Sequence, residues 1–187
     1  MAIDKTQLFV ANTSNVKEMK NGRPLSVQAP KELPNCTIVT LGAAGTGEMD
    51  HVYSVTVEKS NDTTPTAVGK FVIVAPEILV EEARRTDGHK GKFRLEANEV
   101  YTAYELSLHD RLEFCENYLK TPGTLPAVGD LMNIDTNGKL VKPTSSNPGC
   151  LKVVSVRKMA TGAIIKPTMD GLYDGAQLSM IKVEVVK

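Results

Sequence analysis

The sequence predicts an all-β protein, a β-sandwich or small β-barrel with at most one or two short helices and an extended N-terminal arm. Three observations carry this. Short apolar segments recur about nine or ten times, separated by turn signals roughly every 8–12 residues. Several of them alternate apolar and polar positions with the period of two that a half-buried strand requires. The core material is aliphatic, with 41% hydrophobic residues, 5% aromatics and no Trp. A length of 187 residues fits one domain or two small ones. No internal repeat recurs at a fixed period of tens of residues.

Residues 1–35 read as the arm, with short apolar runs broken by ANTSN at 11–15, NGRP at 21–24, Pro30 and Pro34. Asn21-Gly22 is a turn signal, and LFV at 8–10 and LSV at 25–27 are the runs that would pair across it as a hairpin. Residues 36–187 form the β-rich domain, which could divide into two lobes meeting near 121–127. Its first strand candidate is CTIVTL at 36–41, followed by the glycine-rich break GAAGTGE at 42–48. In HVYSVTVEKS at 51–60, Tyr53, Val55 and Val57 share one face against Val52, Ser54 and Thr56. FVIVA at 71–75 is apolar on both faces and reads as a central strand. PEILVEEARRTDG at 76–88 fits a short helix opened by Pro76 and a bent strand equally well.

Strand texture returns with FRLEA, EVYTAYELSL and DRLEFCE between 93 and 116. LMNI at 131–134 and KLV at 139–141 flank Asp135-Thr136-Asn137-Gly138, a hairpin loop with Gly at its end. LKVVSV at 151–156, GAIIK at 162–166 and MIKVEVV at 180–186 complete the set, the last with Ile181, Val183 and Val185 on the core face and Lys182 and Glu184 on the wet one.

Charge and chemistry narrow the function by exclusion. Lys+Arg and Asp+Glu both number 22, so the whole molecule exerts no net pull on nucleic acid or anionic membrane. MAIDKTQLFV has no basic segment leading into a long apolar run, so no secretory leader is expected, and no apolar window reaches the length of a membrane helix. Cys36, Cys115 and Cys150 are odd in number and far apart, which fits buried thiols in a reducing compartment rather than a disulfide framework. After Gly47 come Glu48 and Met49, where a phosphate loop needs Lys and Ser or Thr. His51, His89 and His109 share no metal-type spacing. His109-Asp110 is similar to the pair of metal phosphohydrolases, but the other ligands of that set are missing. No GxSxG is present, and no nucleophile, base and orienting group can be assembled. Neither enzymatic activity nor a metal or organic cofactor is expected. The densest positive stretch, Arg84, Arg85, His89, Lys90, Lys92 and Arg94 around Asp87-Gly88, is either a solvated hairpin tip or a partner-contact loop.

From Phe93 onward the motifs become more specific. FRLEANEVYTAYELSLHDRLEF is followed by PAVGDLMNIDTNGKLVKP, in which Val128-Gly129-Asp130 precedes a strand, the Asn137-Gly138 turn and a second strand. This half of the chain resembles the small β-domains of tailed-bacteriophage head proteins, the decoration or cement proteins of capsid lattices. The resemblance implies a structural virion protein, made in the host bacterial cytoplasm, that binds and stabilises the capsid as a homo-oligomer or a lattice-bound subunit. Its partners would be copies of itself, a major capsid protein, or both, with no membrane and no nucleic acid. It makes Asp130 a turn or cap residue rather than a functional one. In this setting Leu8, Phe9, Val10, Leu25 and Val27 of the arm would add strands to a neighbour's edge. Removing residues 1–30 should then leave the β-domain folded and weaken assembly. Two other readings stay open: another phage component such as a tail or head-completion protein, and a β-barrel reader of single-stranded nucleic acid. The latter needs exposed aromatics, whereas Phe71 and Phe114 lie in strands that need them for core.

Overall fold

A computed structural model describes residues 9–57, 66–74, 94–135, 137–143, 149–167 and 173–187, with backbone alone for 160–167 and 173–176. It is all-β, with one short helix. In chain order the elements are β1 (Ala11–Asn15), α1 (Lys17–Asn21), β2 (Leu25–Gln28), β3 (Leu33–Pro34), β4 (Ile38–Ala44), β5 (Val52–Val57) and β6 (Phe71–Val74). Then follow β7 (Arg94–Leu95), β8 (Val100–Glu105), β9 (Arg111–Cys115), β10 (Leu131–Ile134), β11 (Leu140–Val141), β12 (Leu151–Pro167) and β13 (Tyr173–Val185).

Strands β2-β5-β4-β6-β8 close into a barrel in which β2 and β5 run parallel and every other pair is antiparallel. The barrel interior holds Val27, Val39, Val55, Phe71, Ile73 and Ala103, and Leu33 and Leu95 of the small β3–β7 pair join it. A six-stranded sheet, ordered β1-β9-β13-β12-β10-β11, carries Leu112, Phe114, Met132, Leu151, Val153, Ile181 and Val183 into a second core. Ile38, Val72 and Leu106 belong to that second core as well, so the outside of the barrel is one wall of the sheet's interior. This explains why FVIVA is apolar on both faces. Phe71 and Ile73 fill the barrel while Val72, fully buried, faces the sheet. Each such aliphatic chain contributes roughly 1.5–3 kcal/mol by leaving water. The chain leaves the barrel at Glu105 and enters the sheet at Arg111, and residues 121–127 lie on the connection leading to β10.

The alternating patterns behave as the sequence indicates. Tyr53, Val55 and Val57 face the barrel core, and Ile181, Val183 and Val185 are fully buried. The Asn21-Gly22 hairpin does not form. Gly22, at φ 66°, ends α1 by donating its N–H to the Glu18 carbonyl, and Leu25–Gln28 is taken up between β5 and β8. A left-handed glycine serves a helix C-terminus as well as a hairpin turn, and the barrel offers LSV two partners where the hairpin offers one. The described part of the arm holds β1, α1, β2 and β3 and is stitched into the body: Val16, Val27 and Ala29 are fully buried and Leu33 nearly so. Removing residues 1–30 would therefore take out a barrel stave, so the expectation that such a truncation leaves the domain folded is corrected. The segment 76–88 lies outside the described residues.

Candidate interaction surfaces

Five strands begin with the same backbone device. A residue with left-handed φ stands two places before the strand: Cys36 (60°) before β4, Gly69 (77°) before β6, Asn98 (66°) before β8, His109 (70°) before β9 and Gly129 (95°) before β10. Each donates its N–H to a carbonyl on an adjacent segment, and the N–H of that same acceptor residue returns to the carbonyl of the next residue. The acceptor residues are Ile73, Leu106, Ala29, Val185 and Val153 respectively, with N···O distances of 2.7–3.1 Å. The clasp fixes each strand's register against its neighbour at the entry point. It accounts for all three non-glycine residues with positive φ among the described residues.

The last two clasps carry an extra bond. The Asp110 carboxylate accepts the Ser107 N–H at 2.8 Å, and Asp130 accepts that of Ala127 at 3.0 Å. Asp110, 4% exposed, also accepts the Lys17 N–H at 3.0 Å and so holds the start of α1. His109-Asp110 is thus a turn of the same kind as Gly129-Asp130. The His109 ring lies 3.0 Å from Glu184, which also binds Arg111 at 2.8 Å, and these two contacts hold the Glu184 carboxyl below its ordinary value. Asp130 occupies the turn role that the phage-type unit implies. The exposed apolar side chains Val68, Leu108 and Val128 occupy the position just before the left-handed residue in three of these turns. Two of the turns bond to C-terminal residues Val185 and Lys187, and the third to Val153.

The arm's own contacts form a second surface. Phe9 packs edge-on against Tyr118 with centroids 5.2 Å apart, and the Arg94 guanidinium and Lys139 ammonium lie 4.1 and 4.2 Å from its ring centre. Such cation–π contacts contribute about 0.5–2 kcal/mol each, depending on desolvation. Burial lowers the proton affinity of both cations. Val10 exchanges bonds with Cys115, its carbonyl accepting the Cys115 N–H at 2.9 Å and its N–H pointing to Sγ at 3.3 Å. β1 continues this pairing along β9, Ala11 opposite Phe114 and Asn12 opposite Glu113. Nothing in the sequence signals this seat, since residues 9, 94, 118 and 139 come together only in the fold.

The β12–β13 hairpin is the third feature. The two strands pair from Leu151↔Val185 to Pro167↔Tyr173, but β10 flanks β12 only at Leu151 and Lys152, and β9 flanks β13 only over Met180–Glu184. Beyond these points it continues as a two-stranded ribbon with no third strand among the described residues. At its base Arg157 makes a two-pronged ion pair with Glu113, at 2.6 and 2.9 Å, and the Glu113 side chain is only 5% exposed. Those hydrogen bonds hold the Glu113 carboxyl below its ordinary value.

Of the residues singled out from sequence, Arg84, Arg85, His89, Lys90, Lys92 and Leu8 lie outside the described residues. Arg94 is committed to Phe9, and Phe9 and Val10 contact the edge of their own chain. Leu25 and Val27 sit in the barrel wall with partners on both sides, which leaves their backbone no free edge to offer a neighbour. Cys36, Cys115 and Cys150 are buried thiols, and burial pushes the Cys36 thiol up to about 12. Phe71, Phe114 and Tyr118 are buried in the two cores. Among the described residues no cluster of three or more His, Cys, Asp or Glu could hold a metal ion, and no helix is long and apolar enough to cross a membrane.

No family model matches the chain, and no curated protein is significantly similar to it. Among solved structures, the N base of head fiber gp8.5 in bacteriophage phi29 matches with a TM-score of 0.39 at 7% sequence identity, over 85% of this chain and 92% of that one. This is a weak structural resemblance to a phage head protein.

Proposed function

We propose that this chain is a structural component of a tailed-phage virion that binds the capsid lattice and stabilises it, as a decoration or cement protein. The observation that carries the reading is the β12–β13 hairpin, which outgrows the sheet it belongs to. A two-stranded ribbon is marginally stable in water by itself, and among the described residues no further strand pairs with either of its outer edges. A neighbouring subunit that covers the ribbon pairs with those edges and turns the hairpin into an attachment arm. The phage-type unit around Asp130 supports the same reading, because its Asp is used in the clasp that anchors the hairpin's base to β10. In this reading the protein acts by being buried rather than by chemistry, needs no cofactor, and resides in the virion after synthesis in the host cytoplasm. Its partners are the major capsid protein and copies of itself.

Quantitative mass spectrometry of purified virions of the phage that encodes the chain tests this. A copy number that is a fixed, symmetry-compatible fraction of the major capsid protein is expected. Absence from the particle, together with salt-sensitive retention of the purified protein on single-stranded DNA, would favour the nucleic-acid reading instead.

A further inference from the structure

The six-stranded sheet ends at β11, and a cavity opens beside that strand. Leu119 bridges Leu140 of β11 in parallel, and the Lys120 N–H donates to the Leu140 carbonyl at 3.0 Å. The chain then turns away over Thr121–Thr124, where the Thr124 N–H donates to the Thr121 carbonyl at 3.3 Å. Between this turn and β11 lies a volume of about 320 Å³. Its floor is aliphatic, made by Leu119, Met132 and Leu140, each no more than 3% exposed. Thr121, Thr124 and the exposed Lys120 and Lys142 form its rim.

We propose that this cavity binds a free aliphatic carboxylate of medium length, its chain on the Leu119–Met132–Leu140 floor and its carboxylate between Lys120 and Lys142. None of the lining residues belongs to the β12–β13 hairpin, so the site goes beyond the virion reading and does not depend on it.

Charge selects an anion. No acidic residue lines the cavity. The ion pairs among the described residues leave Lys120 without a partner. Lys142 has a 3.6 Å contact to Asp130 between two exposed side chains, which an incoming carboxylate displaces at little cost. The two threonine hydroxyls add neutral donors beside the lysines. The floor selects an aliphatic body, since no aromatic ring lines it and Leu and Met adapt to a flexible chain. Size selects the length. The volume holds about ten water-sized groups, which matches the carbons and oxygens of octanoate. A peptide presenting the same carboxylate fits less well. β11 is two residues long, its Leu140 carbonyl is already taken by Lys120, and Pro143 has no N–H, so too little free backbone remains for an added strand.

Met132 reports on the site directly. The full chain, isotope-labelled at its methionine methyl groups, is titrated with octanoate and followed by NMR, with the Met132 signal assigned through Met132→Leu. A saturable shift of the Met132 methyl is expected while the other methionine methyls stay in place. Butyrate, four CH2 groups shorter, should bind more weakly by tenfold or more, since each CH2 withdrawn from water contributes about fourfold in affinity. Lys120→Gln and Lys142→Gln in one chain should weaken octanoate several-fold and leave the binding of octanol unchanged. Both lysines are exposed, and an unaltered methionine spectrum of the free variant confirms its fold. No saturable shift at Met132, or shifts spread evenly over the methionines, would overturn the site. Octanoate binding that survives both glutamines undiminished would overturn recognition of the carboxylate. A short apolar peptide with a free C-terminus that moves the Met132 signal at lower concentration than octanoate would overturn the free acid as ligand.

Discussion

Cys36, Asn98 and His109 occupy a backbone conformation that costs an L-residue roughly 1–2 kcal/mol, and each is held there by the paired hydrogen bonds of a strand-entry clasp. Gly69 and Gly129 stand in the same place with open space where a Cβ would go. Gly129→Ala should therefore destabilise by about 1–2 kcal/mol through conformation alone, while His109→Gly should be neutral or stabilising despite losing its contact to Glu184. Urea unfolding of the two variants checks both signs. Asp110→Ala leaves the Lys17 and Ser107 N–H groups without their acceptor and should cost about 2–3 kcal/mol, read from the same unfolding curves. The Gly-Asp form of the clasp was legible in the sequence as a turn before a strand. The Cys36 form was not, because cysteine carries no preference for left-handed φ and its burial gives the same signal as an ordinary core thiol. His109-Asp110 lacks the further ligands of a metal set in the sequence, but its actual place in a strand-entry turn was not legible there, because these two residues specify no turn and only the surrounding hydrogen bonds define it.

Glu113 sets a pH dependence. Its folded-state proton affinity is lowered by the hydrogen bonds from Arg157. A lowered carboxyl contributes stability that is present above its unfolded value, about 4.3, and lost as pH falls through the folded value. Glu113→Gln should accordingly lower the urea midpoint at neutral pH, by a margin that shrinks as the pH falls below about 4.3. A gap that persists unchanged in acid would show that the glutamine perturbs packing instead.

At the level of elements, strands with alternation, double-faced apolarity or a clear turn signal were readable, and the polar β1 was not. β5, β6 and β13 follow directly from their alternation or double-faced apolarity, because burial selects the residue type at every second position. β1 has the sequence ANTSN, which reads as loop. It is a strand because β9 presents an edge and Phe9 anchors the approach, both long-range facts. Of the two-residue strands, β7 and β11 were announced by FRLEA and by KLV after the Asn137-Gly138 turn, whereas β3 at Leu33–Pro34 is too short for any period to register. The position of the β12–β13 hairpin beyond its sheet was equally hidden, since LKVVSV, GAIIK and MIKVEVV announce strands but not how far their neighbours run alongside. Replacing residues 161–176 by a tight Asn-Gly turn should leave the sheet and barrel intact, because the pairing of β13 with β9 and the Glu113–Arg157 contact lie outside the deleted stretch. The three natural thiols should stay unreactive toward a thiol reagent in that variant. Their exposure would mean that the ribbon also supports the core.

At the level of the whole molecule, barrel and sheet share a wall, the arm closes one edge of the sheet, and the hairpin runs on beyond the pairing of its flanking strands β10 and β9. In the virion reading proposed above, this hairpin attaches the body to a capsid lattice. The most direct measurement is cosedimentation of the purified chain, and of the variant lacking residues 161–176, with emptied capsids stripped of their accessory proteins. The full chain should pellet with the capsids and saturate at a fixed ratio to the major capsid protein, while the shortened variant, still folded, should remain in the supernatant. Equal binding by both, or binding by neither, would contradict that reading.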